Sequence, residues 1–146
     1  MIKETKGDLF LHSADRVPVH CIAADHKMGA GIAVPMAEKF NLRDAFTGML
    51  EYPACIYRNG VMNLVTKKYS SCRIAQRLGV PAYMAKPTYE SLTFALEKCA
   101  DECRRQNITH LVMPRIGCGL DGLDWNKVKP IIEKTLGHLD VLVCSL

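Results

Sequence analysis

The sequence lacks any apolar run that reaches the roughly 18 consecutive residues needed to cross a bilayer. A signal-peptide pattern is not expected either, because the opening "MIKETKGDLF" goes directly into a charged, strand-like pattern. No C-x-x-C pair occurs among its seven cysteines, an odd number scattered along the chain. This usage argues against a disulfide framework and predicts an intracellular, reducing compartment, either cytoplasm or nucleus.

A structural zinc site is also not expected. Cys99 and Cys103 lie one helical turn apart, but no second pair of ligands has a suitable spacing. We therefore interpret both cysteines as small apolar residues on the buried face of a helix. No metal or redox cofactor is predicted.

The chain has no internal repeat and no low-complexity tract. Its 146 residues are 49% hydrophobic and 23% charged, which predicts one globular domain spanning residues 1–146. The net charge of +4 is compatible with an anionic ligand, but it is too small to indicate nucleic-acid binding by itself.

Buried-type strands alternate with helical patterns along the first half of the chain. Residues 17–24, "VPVHCIAA", are short, β-branched and nearly all apolar, which is typical of a strand buried on both faces. A helix is predicted to begin near Val34, since Pro35 is tolerated only in a first turn. Residues 54–68 predict a hairpin around Asn59-Gly60, a strong type I′ turn signal.

The second half continues the alternation. Residues 69–86 have mixed polarity and predict an irregular insertion or flap. An amphipathic helix is predicted to follow, with Pro87 near its first position. The next segments are "ITHLVMPRI", a strand, "DWNKVKPIIEKTL", a helix capped by Asp124, and "LDVLVCSL", a final strand. This order predicts an α/β domain with a mixed or mostly parallel sheet.

Two loops share one design, in which a buried strand runs through a glycine-rich turn into a helix. They are "MGAGIAV", residues 28–34, and "IGCGLDG", residues 116–122. Glycine lets successive backbone N–H groups converge on an anion, and a following helix N-terminus favours negative charge. Such loops lie at the carboxyl ends of strands in open α/β sheets, where ligands bind. We therefore predict a phosphate-binding crevice, although tight packing of strand against helix would also explain a single loop.

At this point the chain resembles a known family. The stretches "KGDLF", "HCIAADHKMGAGIAV", "LVTKK", "KPTYESL" and "MPRIGCGLDGLDW" are similar, in order and spacing, to the macrodomain family. They look most like the branch that contains terminal ADP-ribose protein glycohydrolase and the bacterial DNA ADP-ribosyl glycohydrolases. The resemblance runs from about Lys6 to the C-terminus. It implies a three-layer α/β/α macrodomain sandwich with a central mixed sheet.

The resemblance also implies an ADP-ribose cleft. It places Asp8 and Leu9 at the adenine, with Asp8 accepting from the exocyclic amine, and Leu146 nearby. Loop residues of both glycine turns match positions along the diphosphate and the distal ribose, with their backbone N–H groups as donors. The substrate-binding residues it implies are Asp8, Leu9, Gly29, Ala30, Gly31, Ile32, Thr66, Pro114, Arg115, Ile116, Gly117, Cys118, Gly119, Leu120 and Leu146.

For catalysis, the resemblance implies a lysine nucleophile and an aspartate acid/base. "LVTKK" and "GCGLD" put Lys67 and Asp121 in those two positions. A lysine amine is a nucleophile only when it is neutral, so a nearby acid has to manage its proton. Lys68 is expected to face the opposite side of the strand, towards solvent. Read without the resemblance, Lys67 is a surface charge and Asp121 a second candidate for the helix cap.

Three functions remain open at this stage. The first is hydrolysis of ADP-ribose from acidic side chains or from an ester such as O-acetyl-ADP-ribose. The second is removal of ADP-ribose from modified DNA, to which Arg73 and Arg77 of the flap could contribute. The third is a non-catalytic reader that binds ADP-ribose through the same two loops. We expect a monomer, with ADP-ribose or an ADP-ribosylated protein as its partner and no membrane contact.

Overall fold

Six strands form one mixed sheet in the computed structural model, which describes residues 1–146. The strands are β1 (Ile2–Lys6), β2 (Val17–Ala23), β3 (Ala54–Arg58), β4 (Val61–Lys67), β5 (His110–Met113) and β6 (Asp140–Ser145). Their order across the sheet is β1-β6-β5-β2-β4-β3, and every neighbouring pair is parallel except β3 and β4. The predicted mixed, mostly parallel sheet is confirmed.

Helices cover both faces of this sheet. They are α1 (Ala33–Lys39), α2 (Cys72–Leu78), α3 (Tyr89–Gln106) and α4 (Trp125–Leu136). α3 and α4 pack on one face through a cluster of 18 buried residues, whereas α1 packs on the other through a cluster of 12. The three-layer α/β/α sandwich is therefore confirmed. None of the four helices combines the length and apolar character that crossing a membrane requires.

Several local signals of the sequence have the predicted structural effect. Asn59 and Gly60 both adopt positive φ, at 53° and 76°, as a type I′ hairpin turn between β3 and β4 requires. The Asp124 side chain caps α4 by accepting from the backbone N–H of Asn126. Cys99 and Cys103 are buried on the inner face of α3, as expected.

The prediction of an irregular segment at 69–86 is wrong in one respect, because the segment contains α2 and a short 3-10 helix (Ala82–Ala85). Ser71 caps α2 by accepting from the Ile74 N–H, and Gly79 ends it with φ 72°. Of its seven residues only Ala75 is buried. The apolar periodicity is consequently too weak to reveal this helix in the sequence.

Other element boundaries shift by one to three residues. Pro87 lies before α3 rather than in its first turn, because Thr88 is the N-cap and forms a capping box with Ser91. α1 begins at Ala33 instead of Val34, so that Pro35 still lies in the first turn. β5 is confined to His110–Met113, since the chain turns into the second glycine loop directly after it.

A buried polar pair joins β2 to β4 in the middle of the sheet. His20 is fully buried, and its Nε2 lies 2.7 Å from Oδ1 of Asn63. The Asn63 amide donates in turn to the carbonyls of Ile56 and Val61. Burial lowers the pKa of His20 to about 4, because a charged imidazole is costly in an apolar surrounding.

This pKa predicts a specific acid sensitivity of the fold. Below about pH 6.5 the unfolded chain protonates His20, whereas the folded chain does so only near pH 4. The free energy of unfolding should therefore decrease as the pH is lowered from about 6.5 to 4, by up to about 1.4 kcal/mol per pH unit. Urea unfolding between pH 7 and 4 measures it. His20→Gln should flatten the slope and the exposed His138→Gln should not; equal slopes in all three proteins would contradict the assignment.

Candidate active site

A cavity with a volume of about 630 Å³ lies at the carboxyl ends of the central strands. Three walls surround it. Loop 1 (residues 25–32) connects β2 to α1, loop 2 (residues 114–124) connects β5 to α4, and the third wall comes from residues 70–86 after β4. This is the edge at which ligands bind in open α/β sheets.

Loop 1 is held in an unusual backbone conformation. Met28 and Gly31 have positive φ, at 48° and 61°, and Met28 is buried. The Arg43 guanidinium donates to the carbonyls of Lys27 and Met28, at 3.0 and 3.1 Å. The backbone N–H groups of residues 29–32 have no acceptor within the protein. They are therefore available to a ligand in the cavity.

Loop 2 is a tight turn that presents a second set of free donors. Leu123 donates its N–H to the Gly117 carbonyl at 2.8 Å, and Gly117 has φ 74°. A Cβ at Gly117 would lie 2.9 Å from Cδ1 of Leu123, so a larger residue does not fit there without movement. The N–H groups of Gly117 and of residues 119–121 have no intramolecular acceptor. Two loops with free backbone donors thus line one crevice, an arrangement suited to a diphosphate.

The two loops come close together on one side of the cavity. A Cβ placed on Gly31 would lie 3.5 Å from Cδ1 of Leu120, whose side chain is 75% exposed. Leu120 therefore extends from loop 2 over loop 1.

Lys67 and Asp121 meet on the cavity wall. Lys67 Nζ lies 2.7 Å from Asp121 Oδ1, although the two residues are 54 positions apart in sequence. Their side chains are only 17% and 18% exposed. Lys68 is exposed, as predicted, and does not line the cavity. The structure thus brings together the two predicted catalytic side chains and excludes the neighbouring lysine.

The charge of the cavity is strongly asymmetric. Asp121 is its one acidic lining residue, against four basic ones, Lys27, Lys67, Lys86 and Arg115. The Arg115 guanidinium stacks on Trp125 at 5.3 Å and lies 3.4 Å from the Glu4 carboxylate. The excess of positive charge favours an anionic ligand.

Two thiols near the site, those of Cys21 and Cys118, are poorly suited to act as nucleophiles. Burial raises the pKa of Cys21 to about 12. Burial also raises the pKa of Cys118, which donates its thiol to the Ile116 carbonyl at 3.3 Å. Both thiols therefore stay protonated at neutral pH, and only the thiolate is a good nucleophile. No three His, Cys, Asp or Glu side chains are arranged to hold a metal ion.

Most of the residues expected in the site line the cavity: Gly29, Ala30, Gly31, Ile32, Lys67, Pro114, Arg115, Ile116, Gly117, Gly119, Leu120 and Asp121. Five expected residues lie outside its lining. Asp8 caps a short 3-10 helix by accepting from the Phe10 N–H, and Leu9 is buried in the core. Thr66 is buried beneath Lys67, Cys118 turns back into loop 2, and Leu146 is fully exposed.

The third wall contributes residues that the sequence reading did not single out, among them Ser70, Ser71, Cys72, Ile74, Ala85 and Lys86. The carboxylate of Asp25, in loop 1, accepts from both the N–H and the hydroxyl of Ser70. The start of the predicted flap is therefore hydrogen-bonded to loop 1 through Asp25. The one indication in the sequence that this segment lies at the site is its position shortly after Lys67.

Comparison with known proteins agrees with this geometry. The family model described as Macro domain matches residues 61–132. ADP-ribose glycohydrolase OARD1 from Bos taurus is 37% identical over 147 aligned positions, covering 97% of this chain and 88% of that protein; the Homo sapiens protein of the same name is 36% identical with the same coverage. The solved macrodomain of Mycobacterium tuberculosis DarG has a TM-score of 0.75 at 21% identity, covering 100% of this chain and 98% of that one.

Fold and cavity define an α/β/α protein with a crevice at the carboxyl edge of its sheet, lined by more basic than acidic side chains. The relatives make the assignment specific, because more than a third of all positions are identical over nearly the whole chain. This chain belongs to the macrodomain family.

Proposed function

We propose that this chain is an ADP-ribose glycohydrolase. It hydrolyses the bond between the distal ribose of ADP-ribose and the acyl oxygen of an acidic side chain, or of an ester such as O-acetyl-ADP-ribose. Two relatives that cover nearly the whole chain bear the name of this activity. The observation that carries the proposal is the 2.7 Å contact between Lys67 and Asp121 in the cavity wall. A module that only binds ADP-ribose has no need of this pair.

The two loops supply the binding energy for the diphosphate. The free N–H groups of residues 29–32 donate from one side, and those of Gly117 and residues 119–121 from the other. Lys27 and Arg115 add positive charge near them. We place adenine by Asp8, Leu9 and Leu146, which share the carboxyl edge of the sheet, since Gly7 donates to the Ser145 carbonyl.

The Lys67–Asp121 pair supports a two-step displacement. Asp121 takes one proton from the Lys67 ammonium, and the freed amine attacks the anomeric carbon of the distal ribose. The bond to the acyl oxygen breaks, and Asp121 gives its proton to the departing carboxyl group. Asp121 then takes a proton from a water molecule, which attacks the same carbon. The carbon–nitrogen bond breaks, and Asp121 passes this proton to the Lys67 amine. The pair ends as it began.

ADP-ribosylated DNA is the second candidate substrate. Residues 52–89 contain no Asp or Glu, and this stretch includes the third wall of the cavity. Arg73 and Arg77 are exposed there on α2. Such a surface attracts a polyanion.

Release of ADP-ribose tests the proposal against its rivals. The protein is incubated with a glutamate-ADP-ribosylated protein and, separately, with thymidine-ADP-ribosylated DNA, and free ADP-ribose is quantified. We expect release from the modified protein. Release from DNA alone would make the second candidate correct. Binding of free ADP-ribose by calorimetry without release from either substrate would identify a reader and overturn the proposal.

A further inference from the structure

The strand that carries Lys67 contains one residue more than its neighbour. Ile22 of β2 pairs with Val65 of β4, but the next residue, Ala23, pairs with Lys67. Thr66 is therefore an extra residue, and β3 does not pair with it, because that strand reaches only as far as Val65. Such a bulge redirects the side chains that follow it and is frequent beside active sites.

The bulge leaves the Thr66 carbonyl without a partner in the sheet, and a side chain from α3 supplies one. The Ser91 hydroxyl lies 2.7 Å from the Thr66 carbonyl oxygen and donates to it. Ser91 is 4% exposed and also accepts from the Thr88 N–H at 3.0 Å, as half of the capping box of α3. One buried hydroxyl thus connects the start of α3 to the residue before Lys67.

A second hydrogen bond holds the carbonyl of Lys67 itself, and it comes from the chain after β2 rather than from α3. The N–H of Ala24, directly before loop 1, donates to the Lys67 carbonyl at 2.9 Å. The peptide before the Cα of Lys67 and the peptide after it are therefore each held by a hydrogen bond. On the side of α3, Ser91 is the hydrogen-bond donor that does this.

We propose that Ser91 is a positioning residue for Lys67, acting through the bulge at Thr66. The inference rests on the proposed function. Without the hydroxyl, the buried Thr66 carbonyl loses its hydrogen-bond partner, which is unfavourable. We expect the backbone of the bulge to move so that this carbonyl gains another donor. The Lys67 amine then moves relative to Asp121 and to the anomeric carbon. A displacement of about 1 Å can lower a rate by about 10²-fold.

The capping box of α3 provides a matched control. Ser91→Ala removes the donor to Thr66 together with one capping interaction. Thr88→Ala removes the other capping interaction, in which the Ser91 N–H donates to the Thr88 hydroxyl, and leaves the bond to Thr66 intact. We expect Thr88→Ala to lower Tm by roughly 2–4 °C, and Ser91→Ala to lower it further because the bond to Thr66 is lost as well. Only Ser91→Ala should lower kcat, by about 10²-fold, with KM and the Kd for ADP-ribose nearly unchanged.

Two outcomes would overturn the inference: wild-type kcat in Ser91→Ala, or an equal loss of kcat in both variants. A second readout does not depend on turnover. The rate at which acetyl N-hydroxysuccinimide modifies Lys67, followed by peptide mass spectrometry, should change in Ser91→Ala and not in Thr88→Ala. If the wild type releases no ADP-ribose, the proposed function fails, while this rate still decides whether Ser91 positions Lys67.

Discussion

Lys67→Ala is expected to lower kcat for ADP-ribose release by 10³-fold or more on an order-of-magnitude scale, because it removes the attacking amine. The free N–H donors of loops 1 and 2 are backbone groups and are untouched by the substitution. The Kd for ADP-ribose should therefore stay within about threefold of wild type, corresponding to less than about 1 kcal/mol. Single-turnover release and calorimetry measure the two quantities.

Lys68→Ala is the control for this experiment. Lys68 is adjacent in sequence and exposed, and it lies outside the cavity lining. Loss of positive charge is the same in both variants, so only the position of the amine differs. Full activity in Lys67→Ala would rule out the covalent lysine mechanism. An equal loss of activity in both variants would indicate that only the positive charge matters and not the position of the amine.

Asp121→Asn is expected to have the second largest effect, a loss of kcat of about 10²–10⁴-fold. The amide keeps the shape of the side chain but cannot take the proton of Lys67 or of the attacking water. If some lysyl adduct forms in this variant, its hydrolysis is the step that fails. Intact-protein mass spectrometry after mixing with substrate should then detect the protein with one ADP-ribose attached.

The matched control is Asp124→Asn, three residues further along the same loop. Asp124 caps α4 with its side chain and does not line the cavity. Because asparagine is an equally good N-cap, activity and Tm should both stay near wild type. Comparable loss of kcat in Asp121→Asn and Asp124→Asn would contradict the distinct roles of these two acids.

The elements with strong local signals could be predicted from the sequence. Asn59-Gly60 determines its hairpin by backbone conformation alone, and Asp124 determines the start of α4 by capping. The two glycine loops could be predicted because each follows a buried strand. That they face one cavity follows from the parallel pairing of β2 and β5, which an alternating α/β pattern already favours.

Features that depend on distant contacts could not be predicted in this way. α2 buries one residue, and Asp25 of loop 1 binds Ser70, just before α2, across 45 positions of sequence. The bulge at Thr66 has no signature in "LVTKK", since it arises from the register between two strands. The contact of Lys67 with Asp121 was implied by resemblance to a family, and no local pattern of the chain contains it.

The guanidinium of Arg43 has a consequence for the kinetics of recognition. It binds two successive carbonyls of loop 1, one of them belonging to Met28 with its unfavourable φ. The ordering of loop 1 is thus completed during folding, and a ligand meets donors that are already aligned. Association then requires little loss of chain entropy and no slow rearrangement of this wall. The association rate constant should therefore approach that of a rigid receptor, and the dissociation rate constant should determine the affinity.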